Sequence, residues 1–91
     1  MELDPRVSEA AGKMLTDPAF RTVCERLEER YAIQWKTSEP TDSNAREEAY
    51  RRFRSLIEML RDMRGLYEAG EAEKLAAERK AKLEASEAAS E

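Results

Sequence analysis

The sequence predicts an all-α protein: an antiparallel helical hairpin with a short N-terminal helical arm and a charged, partly helical C-terminal tail. Three observations carry that expectation. Hydrophobic residues make up 41% of the chain and charged residues 40%, a balance suited to long solvated helices. Three Gly, three Pro, two Val and two Ile leave little from which to build strands and their turns. Two apolar stripes of helical spacing are separated by one polar break.

Residues 1–16 read as the arm. Asp4-Pro5 is a helix start, with the carboxylate before the first turn and Pro where a missing N–H costs nothing. Val7, Ala10, Ala11, Met14 and Leu15 are expected on one face over about three turns. A stripe so short, weakened by Gly12, is marginal unless it packs against something.

Residues 17–69 are expected to form the hairpin, with its turn near 37–43. Asp17-Pro18 repeats the start signal, and Phe20, Cys24, Leu27, Tyr31 and Trp35 then recur at spacings of three or four. Pro40 disfavours helix at Glu39, and Asn44 followed by Glu47 has the spacing of a capping box. Ala49, Phe53, Leu56, Leu60, Met63 and Tyr67 alternate by four and three, a coiled-coil-like heptad seam. The expected hairpin core is therefore Phe20, Val23, Leu27 and Tyr31 against Phe53, Leu56, Leu60, Met63 and Tyr67. Its short connection makes the two helices antiparallel neighbours.

Residues 70–91 form the tail. They are rich in Ala, Glu and Lys, with Leu75 and Leu83 the only large apolar side chains. Helix propensity is high, but there is no core to hold against, so an exposed helix or a disordered segment is expected.

Composition also bounds function. A net charge of −4 disfavours wholesale nucleic-acid binding. Yet 46–64 carries six Arg against four acids, so Arg51, Arg54 and Arg61 are candidate phosphate contacts beside the plainer reading of a charge-laced solvated face. The chain has no His and a single Cys, Cys24, which falls on an apolar stripe and reads as a small hydrophobe. No metal site, cofactor, small-molecule substrate or enzyme activity is expected, because the carboxylates fall on solvated faces where nothing perturbs them. No apolar run reaches the ~20 residues that span a bilayer, so no membrane association is expected. The N-terminus also lacks a secretory signal pattern.

A two-helix hairpin shields one side of each helix, and these stripes are wider than that. Ile33, Tyr50, Ile57 and Leu66 lie to the side of the seam, and Trp35 either closes the core near the turn or serves as an exposed anchor. These five are the candidate contacts for a protein partner or a second copy of the chain.

Leu15-Thr-Asp-Pro-Ala-Phe20, Trp35-Lys-Thr-Ser-Glu-Pro40 and Asn44-Ala-Arg-Glu-Glu-Ala-Tyr50, followed by an Arg/Leu helix ending near Gly70, carry a resemblance. Over residues 15–70 the chain resembles small helical proteins of tailed bacteriophages and prophages. The resemblance implies a phage setting, in the cytoplasm of a bacterial host or in the virion. The first expectation for function is a non-enzymatic interaction protein, a phage structural or virion-assembly accessory that docks on a larger assembly or self-associates. Two others stand beside it: an inhibitor or regulator of a host complex, of anti-defence type, and a nucleic-acid binder associated with DNA packaging.

Overall fold

The computed structural model describes residues 4–90. Residues 1–3 of the expected arm and Glu91 of the expected tail lie outside the described residues. The described chain is all-helical: α1 (Pro5–Thr16), α2 (Pro18–Thr37) and α3 (Ser43–Ser90), with no strand among them.

Each helix start has a local cause. Asp4 Oδ1 accepts from the Arg6 amide at 2.9 Å, and Asp17 Oδ1 accepts from the Ala19 amide at 3.0 Å. Both aspartates stand before a proline that opens the helix, so an otherwise orphaned donor is satisfied at each start. Asp17 is the only residue between α1 and α2. The start of α3 differs from the expected capping box. Asp42, not Asn44, holds it: Asp42 Oδ1 accepts from the Ala45 amide at 3.0 Å, and its carbonyl accepts from the Arg46 amide. A turn closed by the Asp42 amide on the Glu39 carbonyl, at 2.9 Å, brings Asp42 into that position.

The three helices meet in a fixed order. Gly12 lies under the ring of Tyr67. Leu15 and Phe20 stand with Leu60 and Arg64. Leu27 and Tyr31 meet Ser55 and Leu56, and Gln34 and Thr37 meet Ala45 and Ala49. Thus α1 and then α2 run along α3 in the direction opposite to its own. Both pack mainly on α3 and touch each other little.

The buried seam is thin. Ala11, Cys24, Ala49 and Leu56 are the buried hydrophobic residues among those described, joined by Ser8, Gly12 and Gly70. The arm corrects one expectation. Its buried face is Ser8, Ala11 and Gly12, while Val7 and Met14 are exposed. Small residues win because they let two backbones approach closely, which larger side chains at the same positions would prevent.

α3 continues through Gly70 to Ser90 as one 48-residue helix. At ~1.5 Å per residue it is about 72 Å long, which accounts for the 76 Å long axis of the molecule. The radius of gyration is 20.8 Å, against about 12 Å for a globular chain of this length. The accessible surface is 7668 Å², where a globular monomer of 10.5 kDa exposes roughly 5,400 Å². Much apolar surface is left in the open.

Candidate interaction surface

Part of that surface, including the exposed rings of Trp35 and Tyr50, lies on the flank where α2 and α3 meet beyond the seam. An open groove of about 280 Å³ is lined there by Tyr31, Ala32, Trp35, Lys36, Tyr50 and Phe53. It runs on along α3 into a second groove, of about 190 Å³, that shares Tyr50 and Phe53 and adds Arg54, Ile57, Glu58 and Arg61. Helical spacing explains the alignment: Tyr50, Phe53, Ile57 and Arg61 advance by three or four residues and so share one side of α3.

Trp35 is 44% exposed, so it both fills space near the turn and presents its ring. Arg46 stacks its guanidinium over that ring, 5.5 Å from the centroid, and fixes the indole from one side. Arg46 was not anticipated from the sequence. It reaches Trp35 only because the turn folds α3 back beside α2, and the signal was its place one helical turn after the Asp42 cap. Tyr50 is similarly held: Arg54 Nη1 donates to the Tyr50 hydroxyl at 3.2 Å, while Arg54 Nε donates to Glu58 at 3.1 Å. The hydroxyl, then the carboxylate, hold the Arg54 guanidinium's pKa above its ordinary value. The groove is therefore an apolar floor of fixed aromatic rings with a mostly basic margin.

The remaining candidates are distributed as follows. Ile33 and Leu66 are exposed, and Ile57 is half-buried in the second groove. Phe20, Leu27, Tyr31, Phe53, Leu60 and Met63 are half-buried along the seam, and Leu56 is buried. Two core expectations change. Val23 is 54% exposed, because α2 buries a single row against α3 and Val23 sits about 100° from Cys24. Tyr67 packs against Gly12 of α1 rather than against α2, and remains partly exposed.

The candidate phosphate contacts are partly occupied. Arg51 pairs with Glu47 at 3.4 Å and Arg54 with Glu58, each one helical turn away. Arg61 stands at the groove margin. Among the described residues no group of three His, Cys, Asp or Glu side chains is placed to hold a metal ion. None of the helices is long and apolar enough to cross a membrane.

No protein-family model, no curated protein and no solved structure matches this chain.

Proposed function

We propose that the protein is a non-enzymatic helical interaction protein whose antiparallel hairpin, built by α2 and α3, docks through its aromatic flank. The observation that carries this reading is the groove of Tyr31, Trp35, Tyr50 and Phe53, held open to solvent on a chain with almost no buried core. Aromatic side chains fixed in place concentrate binding energy at interfaces, since little freedom remains to be lost on docking. The resemblance of residues 15–70 to small phage proteins supports a virion-assembly or structural accessory as the role.

Affinity capture from phage-infected cells tests the reading, comparing the wild-type chain with Trp35→Ala/Tyr50→Ala. Capture of head, portal or other particle proteins that is lost in the variant supports it. A wild-type chain that is monomeric and retains no partner beyond those of the variant overturns it.

A further inference from the structure

One face of α3 is complementary to itself. Each helical residue advances about 100°, so residues three, four or seven apart lie on the same side. By that count Tyr50, Arg54, Ile57 and Arg61 share a side with Arg64 and Glu68. The same side continues through Glu71, Leu75 and Glu78. Its middle, at Ile57 and Leu75, lies about a quarter turn from the seam of Ala49, Leu56 and Tyr67 that α1 and α2 cover, and its edge at Arg64 and Glu71 borders that seam. All of these face residues are exposed except Ile57 and Glu71, which are half-buried.

Between Arg54 and Glu78 charge on this face is segregated along the helix, and Arg79 and Lys82 follow beyond it. The arginines come first and the glutamates afterwards, with one large aliphatic residue in each half. Laid antiparallel on a second α3 with Leu66 at the centre, the two halves match. Arg64 stands two residues before the centre and Glu68 two after, and Arg61 and Glu71 stand five before and after. Ile57 and Leu75 are each nine away, and Arg54 and Glu78 twelve. Arg64 would thus face the partner's Glu68, Arg61 the partner's Glu71, Ile57 the partner's Leu75 and Arg54 the partner's Glu78. A twofold axis makes every pair twice. Farther out, the partner's Arg79 and the partner's Lys82 come over Phe53 and Tyr50, where a cation meets an aromatic face. The like-charged combinations of this register, Arg52 with Lys80 and Glu48 with Glu84, fall on other sides of α3.

The areas agree. Each chain exposes about 2,300 Å² more than a globular monomer of its mass. Two such surpluses fall in the range of about 2,000–5,000 Å² buried by obligate homodimers. The pairs span Tyr50 to Lys82, about 50 Å of helix. The partner's α3 would lie along the groove beside Tyr50 and Ile57, turning α2 and α3 into a three-helix bundle at each end.

We propose that two copies of this chain pair antiparallel through this face of α3, each receiving the distal half of the other's helix. The proposal rests on the interaction reading above and names the chain itself as the partner.

Charge exchange tests it. The wild-type chain is expected to sediment at about 21 kDa, twice its 10.5 kDa. Glu71→Arg/Glu78→Arg places arginine against arginine in a homodimer, and Arg54→Glu/Arg61→Glu places glutamate against glutamate. Each variant alone is expected to dimerise at least tenfold more weakly while its circular dichroism stays helical. Mixed in equal amounts, the two are expected to recover a heterodimer, because every pair is then opposite in charge. Direction is read by disulfide formation in a Cys24→Ala background. A chain carrying Ile57→Cys should cross-link to one carrying Leu75→Cys, whereas a parallel pair would join two copies of the Ile57→Cys chain. A monomeric wild type, undisturbed dimers of either variant, a mixture that stays monomeric, or the parallel cross-link overturns the proposal. A monomer that still captures particle proteins through Trp35 and Tyr50 overturns the dimer alone. A monomer that captures nothing overturns both readings.

Discussion

A Cβ built on Gly12 would lie 2.6 Å from Cδ2 and 2.7 Å from Cε2 of Tyr67, so the ring occupies the space where any other residue would carry its side chain. Gly12→Ala therefore brings two opposed effects. Ala gains about 1 kcal/mol of helix propensity over Gly, while overpacking costs ~1–3 kcal/mol. The ring must leave its seat, and the expected net loss is about 1 kcal/mol in urea unfolding. In a Tyr67→Ala background the same change should become neutral or stabilising. Equal effects in both backgrounds would show that the ring is not what excludes the methyl group. Gly65 is the contrast: nothing lies within 4 Å of its Cβ position, so Gly65→Ala should stabilise α3 by up to about 1 kcal/mol.

The cap assignments separate two neighbouring residues. Asp42→Ala should cost about 1 kcal/mol, the usual loss of an N-cap, whereas Asn44→Ala should be close to neutral. Asp17→Ala should resemble Asp42→Ala, with the loss felt at the α1–α2 junction. Thermal melts of the three variants check this, and a larger loss for Asn44→Ala would return the cap to that residue.

Asp4 gives a pH signature with a defined sign. The Arg6 side chain and then the Arg6 amide hold its carboxyl below the ordinary 3.8. A depressed folded-state pKa contributes stability above 3.8 that is lost as pH falls through the lower folded value. Fraying of the first turn of α1 is therefore expected below pH 3.8, and Asp4→Asn should remove that acid step. Carboxyl titration by NMR reads the shift directly; in Arg6→Ala the value should move back towards 3.8.

Arg46 and Trp35 make a local optical reporter. Arg46→Ala should change the emission of the single tryptophan and lower stability by about 0.5–1 kcal/mol, the worth of an exposed cation–π contact. Trp35→Ala should cost roughly half the ~3–5 kcal/mol of a fully buried aromatic residue, because its ring is half in water. An unchanged spectrum in Arg46→Ala would mean that the guanidinium does not rest on the indole in solution.

Much of this fold was legible because it rests on local chemistry. Asp4-Pro5 and Asp17-Pro18 announce helix starts through donors that need acceptors, and helical spacing identifies Cys24, Leu56 and Ala49 as seam positions. What escaped depends on which surface a helix meets. Val23 reads as core until α2 is seen to bury one row only. The buried face of α1 is set by the close approach of Gly12 to Tyr67, where small residues outrank the apolar ones that periodicity favours. Asp42 outcompetes Asn44 because the Glu39 turn delivers it to the helix start. On the flank, the exposure of Tyr50 follows from its place beside the seam, whereas Trp35, on the stripe itself, is left half open because it lies at the end of α2. The Arg46 clasp depends on a pairing across the turn that no one-dimensional pattern carries.

The 76 Å span of α3 also governs how the molecule moves through water. A rod with cross-sections of 26 and 16 Å meets far more friction than a sphere of equal mass, and it tumbles slowly end over end but fast about its long axis. A single copy will therefore leave a gel-filtration column early, at the volume of a much heavier globular protein. Amides along α3 will relax according to the angle each N–H makes with that axis. Two copies paired antiparallel about Leu66 would overlap along nearly the whole of α3, so dimerisation would thicken the particle without lengthening it.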